Sequence, residues 1–266
     1  MIAVAIAVGL LIGLSLGAVG GGGSILTVPA LVYLLDQTPH AATTGSLLIV
    51  GVTALAGMVA HWRSGRVRVG QGMVFGVLGV AGAYGGSRLS ADINPDLLLA
   101  GFAILLIGAA VAMLRRARRD LGRPSTVTAS CKWRSPIPRL NVCRFLRVSA
   151  AATVVGLLTG LFGVGGGFVI VPALVLALGF SMPVAVGTSL LVIAINSAVA
   201  LAVRMGEHTH LDWPLLALFT VTAIGGSLIG NRVASRVDAA KLTTAFSFLL
   251  VAVALYTAAR SVPHLL

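Results

Sequence analysis

The sequence predicts an all-α polytopic membrane protein made of two homologous, inverted repeats. Each repeat opens with a segment broken by glycines, and there are about 8–10 membrane segments in all. Three observations carry this. The chain is 58% hydrophobic and only 10% charged, and its mean hydropathy is +1.02, a composition no ordinary water-soluble domain has. Its apolar stretches are long and do not alternate with polar residues, which excludes a β-barrel. A glycine cluster interrupts them twice, at Gly20-Gly21-Gly22-Gly23-Ser24 running on to Pro29, and at Gly163-Val164-Gly165-Gly166-Gly167 running on to Pro172.

Residues 2–18 form the first apolar helix, with Gly9, Gly13 and Gly17 four apart on one face, a pattern that lets helices approach closely. The segment has no basic n-region and no A-x-A site in a suitable place, so it reads as a mature span rather than a cleaved signal peptide. The glycine cluster ends it, since each glycine inside a helix costs about 1 kcal/mol relative to alanine. Residues 24–35 are an apolar piece too short to span at about 1.5 Å per residue. A polar turn from Asp36 to His40 leads into a span at 42–60, opened by Thr43, Thr44, Gly45 and Ser46. His61 to Arg68 is a basic loop. Spans at 70–90 and 95–114 follow, joined by a turn containing Asn94-Pro95. Pro124, Pro136 and Pro138 discourage regular structure in the next stretch. The remaining segments are 148–164, the second break, 168–180, 185–203, 212–232 and 239–259. The chain thus divides into a first repeat (1–114), a linker (115–147) and a second repeat (148–266).

The duplication is legible residue by residue. A shift of 143 lays Gly13, Gly17, Gly20, Gly22, Gly23 and Pro29 on Gly156, Gly160, Gly163, Gly165, Gly166 and Pro172, and Ser46-Leu47-Leu48 on Ser189-Leu190-Leu191. A shift of 144 lays Gly82, Gly86 and Arg88 on Gly226, Gly230 and Arg232. Duplicated membrane proteins are typically transporters with a site between the repeats.

The net charge of +12 is concentrated. Ten of the 19 Lys and Arg fall between Arg115 and Arg147, against one acid, Asp120. A basic loop between spans marks the cytoplasmic side and suits anionic headgroups, so the charge points to the lipid bilayer and not to nucleic acid. The protein is therefore expected in the cell membrane, the inner or plasma membrane in a bacterium. With the linker inside, the loop carrying Arg63, Arg66 and Arg68 is inside too, and the Arg88–Asp96 turn is outside. In the second half the bias switches: the 204–212 loop pairs Arg204 with Glu207 and Asp212, while the 232–241 turn is basic. Opposite bias in equivalent loops predicts inversion, which needs an odd number of crossings per half, as when the glycine break makes a hairpin. Four crossings per half would make the halves parallel.

These residues resemble the sulfite exporter TauE/SafE family, also grouped with toluene sulfonate uptake permeases. The resemblance rests on Gly163 to Pro172 followed by Ala185-Val186-Gly187-Thr188-Ser189-Leu190-Leu191, and on the first-half copy, which departs in having Gly21 where the second has Val164. It covers nearly the whole chain outside the basic linker. It implies a permease for sulfur-containing or organic anions and does not name the cargo.

The chemistry agrees with an anion. Backbone N–H groups at a helix start bind anions without a basic side chain, and glycine-rich turns make such nests. Candidate substrate contacts are therefore Gly20, Gly21, Gly22, Gly23, Ser24, Gly163, Gly165, Gly166 and Gly167, with Pro29 and Pro172 as helix breakers. Hydroxyls of Thr44, Ser46, Thr188 and Ser189 lie near the start of the next span, and Thr53 and Asn196 occupy matched positions deeper in it. Those two are a helix–helix hydrogen bond or a substrate contact. Arg88 and Arg232 snorkel at span ends or form an anion-attracting vestibule. A tight turn or close packing also explains the glycines alone; their presence in both halves points to a site.

Other chemistry is not supported. No Gly-Lys-Ser/Thr follows the glycines, so there is no P-loop. His208-Thr209-His210 with Glu207 and Asp212 reads as a solvated loop rather than a metal site, and no cofactor is expected. Cys131 and Cys143 lack partner histidines at zinc spacing and are expected reduced in a cytoplasmic loop. The seven acids offer no catalytic set. The expected function is a secondary permease for a small anion, a sulfur oxyanion or organosulfonate; an anion channel, or a membrane-embedded enzyme, assembly or redox factor, are the rivals. Asp36, His40 and His61 are the titratable groups near the first-half spans, and all read as interfacial.

Overall fold

The computed structural model describes residues 2–33, 37, 39–90, 95–121, 142–162, 167–204 and 212–261. Ten helices lie among these residues: α1 (Ile2–Val19), α2 (Gly22–Tyr33), α3 (Pro39–Arg63), α4 (Val69–Ser90), α5 (Pro95–Leu121), α6 (Val142–Phe162), α7 (Gly167–Leu176), α8 (Met182–Arg204), α9 (Trp213–Arg236) and α10 (Ala239–Ser261). No strand occurs among the described residues. Three of the helices contain stretches long and apolar enough to cross a membrane by length and composition, Ala41–Arg63, Met182–Ala202 and Trp213–Arg236. The outward faces carry large apolar side chains such as Leu11, Val77, Ile104, Val154, Val221 and Phe248, which a bilayer would cover. Both flanks of the basic stretch are helical, since α5 continues to Leu121 and α6 begins at Val142.

Glycines decide how the helices meet. A Cβ on Gly9 would meet Thr222, one on Gly13 the backbone of Ala223, and one on Gly17 the backbone of Ser227. Reciprocally, Gly226 and Gly230 of α9 lie against the backbone of α1 at Leu10 and Leu14. The numbers ascend together, so α1 and α9 run parallel in backbone contact. In the same way α6 packs on α4, through Gly156 against Gly79 and Gly82 against Thr153. These two pairings and that of α5 with α10 are the most extensive in the molecule.

Next comes the pair α3 and α8. Gly51 lies against Ser197, Gly57 against Leu190, and Gly187 against His61. The numbers run in opposite senses, so these helices are antiparallel. Gly45 meets Leu216 and Gly57 meets Ser227, so α9 runs with α3; Gly72 meets Thr188 and Gly76 meets Ile195, so α4 runs with α8. The largest apolar core spans both halves, with Leu16, Phe75, Met113, Ile170, Leu174, Leu190 and Phe246 fully buried in it. Asp212 caps α9 by accepting from the Leu215 N–H at 3.3 Å, and Arg116 donates to the Val175 carbonyl near the end of α7.

Two expectations need correction. Pro29 and Pro172 do not break helices: α2 runs through the first and α7 through the second. Pro172 stands in the second turn of α7, where its missing N–H removes a single bond, to a carbonyl in the first turn. The glycine cluster is also not uniformly irregular, because Gly22 and Gly23 already belong to α2.

Candidate functional site

The local geometry begins with Gly20. Its φ is +82°, a conformation that costs an L side chain roughly 1–2 kcal/mol. Its N–H bonds the Leu16 carbonyl at 2.9 Å and ends α1. The chain then reverses, and Gly23 returns against Ile12 and Leu16. So α1 and α2 form a hairpin, and α2, at about 18 Å, is too short to cross a bilayer.

Around this turn the two halves meet. A Cβ on Gly20 would lie 2.7 Å from Ser189 Oγ of α8 and 3.0 Å from Val171 Cγ2 of α7. One on Gly167 would lie 2.8 Å from Ser24 Oγ, 3.0 Å from Ile193 Cδ1 and 3.1 Å from Gly21 Cα. The first turns of α2 and α7 therefore lie side by side, running in opposite senses. Neither first turn carries an acidic residue, so the positive dipole ends are not neutralised by the chain's own carboxylates. Gly163, Gly165 and Gly166 lie outside the described residues.

The hydroxyls divide into two groups. Ser24 donates to the Gly21 carbonyl at 2.7 Å, Ser46 to Thr43 at 2.8 Å and Ser189 to Val186 at 2.8 Å. Thr188 is completely buried, and its oxygen accepts the Arg68 N–H at 3.2 Å. That hydroxyl ties α8 to the start of α4. By contrast, the hydroxyls of Thr44 and Thr53 and the side-chain oxygen of Asn196 are buried with no hydrogen-bond partner among the described residues, a state costly enough to need an explanation. The register of α3 against α8 puts Thr53 and Asn196 level with each other along the antiparallel pair.

The two arginines do not share a vestibule. Because α9 runs with α3, α4 runs with α8, and α3 and α8 are antiparallel, α4 and α9 end on opposite faces. Arg232 is exposed near the end of α9; Arg88 lies on α4, with its side chain outside the described residues. A separate recess of about 650 Å³ lies between the ends of α5 and α7, lined by Gly108, Val111, Ala112, Arg115, Arg116 and Leu176. It shares no residue with the glycine turns.

His61 departs from its interfacial expectation. It is 1% exposed, with Nε2 3.3 Å from the Gly17 carbonyl and Nδ1 without a partner among the described residues. Asp36, the side chain of His40 and the 208–210 stretch lie outside the described residues, as does Cys131. Sequence reasoning passed over Ser227 and Asn231 of α9, whose side-chain oxygens are also buried without partners among the described residues. The available signal was their spacing of one turn along the stripe that holds Gly226 and Gly230.

Comparison with known proteins identifies the family. The model of a family described as "Sulfite exporter TauE/SafE" matches residues 5–257. A protein of Xylella fastidiosa (strain 9a5c), "Probable membrane transporter protein", is 34% identical over 261 residues, covering 97% of this chain and 95% of its own. "Probable membrane transporter protein YunE" of Bacillus subtilis is 26% identical over 256 residues, covering 88% of this chain and 87% of its own. A shorter match, 33% over 111 residues, covers 40% of this chain and 41% of "Probable membrane transporter protein MJ0441" of Methanocaldococcus jannaschii. No solved structure matches.

Proposed function

This chain belongs to the sulfite exporter TauE/SafE family and is a multi-pass membrane transporter, and from that premise we propose that it is a secondary permease for a small anion bound between the starts of α2 and α7. The observation that carries this is the approach of Gly167 to Gly21 and Ser24, beside Gly20 and Ser189. The first four N–H groups of each helix have no intrahelical acceptor, so a solute entering here meets two sets of donors and two positive dipole ends. The hydroxyls of Thr44 and Thr53, without partners among the described residues, can donate further contacts. The helix starts touch in this conformation, so binding requires them to part, which is the motion a permease needs. A sulfur oxyanion or organosulfonate is the preferred cargo, with no cofactor and no catalytic step assigned.

The proposed architecture is an inverted duplication. Its support is that the first helix of each half packs on the fourth of the other, and that the matched helices α3 and α8 are antiparallel. In this arrangement residues 92 and 208 face outside, while 65 and 236 face inside with the basic linker. Cysteines introduced singly at these positions, in a chain lacking Cys131 and Cys143, should react with an impermeant reagent from outside at 92 and 208 only. Labelling at 236 with protection at 208 would make the repeats parallel.

The hydroxyls give a second expectation. Thr44→Val should weaken anion affinity roughly tenfold or more, the value of a hydrogen bond to a charged group at about 1.5–3 kcal/mol. Thr188→Val should instead lower thermal stability, because it strands the Arg68 N–H, and leave affinity nearly unchanged. The reverse pattern would put the anion beside Thr188.

The function itself is tested by flux in proteoliposomes with sulfite, thiosulfate, sulfonates and carboxylates. Saturable uptake stimulated by anion on the far side supports a permease. Non-saturating conductance would make the protein an anion channel, the alternative that shares this chemistry.

A further inference from the structure

We propose that His61 carries the coupling proton, so that the anion and one proton cross together. This rests on the permease reading above. His61 sits where three helices meet: its Nε2 approaches the Gly17 carbonyl at 3.3 Å, three residues before the Gly20 turn, and its Cβ lies 3.1 Å from where a Cβ on Gly187 of α8 would be. Gly187 is two residues before Ser189, which borders that same turn. The ring is therefore within one helical turn, along both α1 and α8, of the residues that border the proposed anion.

The second observation is a set of buried polar atoms, at one level of α3 and α9, without hydrogen-bond partners among the described residues. They are Nδ1 of His61, Oγ of Ser227 and Oδ1 of Asn231. Ser227 Oγ would lie 2.7 Å from a Cβ on Gly57, one turn before His61, and the same register of α3 and α9 puts Asn231 level with His61. With Nε2–H donated to Gly17, Nδ1 presents a lone pair that can take a proton; Ser227 Oγ and Asn231 Oδ1, at the same level on α9, are acceptors not hydrogen-bonded to it in this conformation. A buried imidazolium is costly by itself and is offset by an opposite charge nearby. Here that charge is the anion. By linkage, whatever the anion does for the proton the proton does for the anion.

The charges facing the ring are few. Among the described residues α1 and α2 carry none, and the stretch of α8 beside it carries none. Arg66 follows it in the loop, where the Arg66 N–H bonds the His61 carbonyl at 3.1 Å. Arg63 and Arg68 flank that loop, and Arg232 and Arg236 lie exposed near the end of α9. None is a carboxylate, so an anion arriving from solution is the counter-charge available to this imidazolium among the described groups. Each turnover binds one proton from one side at Nδ1 and releases it on the other, and a monovalent anion then crosses without net charge.

The test uses the full chain in proteoliposomes with thiosulfate and methanesulfonate, anions with no proton to exchange near neutrality. A pH gradient, acid outside, with equal anion on both sides, should drive uptake of methanesulfonate to about tenfold accumulation per pH unit. His61→Gln and His61→Asn should lose the accumulation and keep anion exchange. A chain in which His40, His208, His210 and His264 are replaced, leaving His61 alone, should retain it, and this variant needs no change at the buried site. In weakly buffered detergent solution, thiosulfate should cause proton uptake by the wild type and by that variant, and none by His61→Gln. The inference is overturned if anion exchange ignores the gradient, if His61→Gln accumulates like the wild type, or if the chain with His61 alone does not accumulate. In those cases the permease reading stands. If the wild type moves none of these anions under any gradient, both fall.

Discussion

Replacing Gly20 by valine is expected to abolish transport while leaving the chain inserted in the membrane. The φ of +82° at Gly20 costs any L side chain roughly 1–2 kcal/mol, and a β-branched residue more. A Cβ there would also lie 2.7 Å from Ser189 Oγ and 3.0 Å from Val171 Cγ2, so the substitution forces apart the helices that border the site. Overpacking of this kind costs about 1–3 kcal/mol. Gly65 separates the two effects: its φ is +68°, yet nothing lies within 4 Å of an added Cβ. Gly65→Val carries the backbone strain alone and should transport close to normally. Equal loss at both positions would mean that backbone strain anywhere disables the protein, and that Gly20 is not special.

Gly167→Ala is expected to cut flux strongly for a different reason, since α7 begins there as an ordinary helix. The added methyl would lie 2.8 Å from Ser24 Oγ and 3.1 Å from Gly21 Cα, wedging the starts of α2 and α7 at the point of closest approach. The remedy is specific. Ser24→Gly removes the nearest atom, so the double variant Gly167→Ala with Ser24→Gly should recover part of the lost activity. Double-mutant cycles on flux, with expression and thermal stability measured in parallel, read this coupling. Strictly additive losses would show that the two helix starts do not act as one site.

How much of this was legible beforehand varies with the kind of interaction. The all-helical class and the run of apolar segments followed from composition, because hydrocarbon demands internally satisfied backbone. The stripe at Gly9, Gly13 and Gly17 announced close packing, but not that its partner would be α9, since a stripe specifies a surface and not who covers it. The glycine run announced a turn without saying which glycine turns: Gly20 does, whereas Gly22 and Gly23 enter α2. The prolines misled: Pro172, in the second turn of α7, removes a single bond, and α2 runs through Pro29 as its eighth residue. Thr188 was a fair candidate by type, but its hydroxyl is taken by a backbone N–H 120 residues away. His61 was placed at the interface because Arg63, Arg66 and Arg68 follow it. It is buried because Gly17 and Gly187, distant in sequence, leave room for a ring. Burial by a distant helix has no local signature.

The claim that the anion sits between the first turns of α2 and α7 is tested most directly by protection at Ser24. In a chain lacking Cys131 and Cys143, Ser24→Cys can be alkylated by a small thiol reagent with and without an anion that the same preparation transports. Ser64→Cys, in the exposed turn after α3, serves as the control. The account predicts that the transported anion slows alkylation at position 24 in a saturable way, with half-effect at its transport KM, and leaves position 64 unchanged. An unchanged rate at position 24, at anion concentrations that saturate transport, would contradict it.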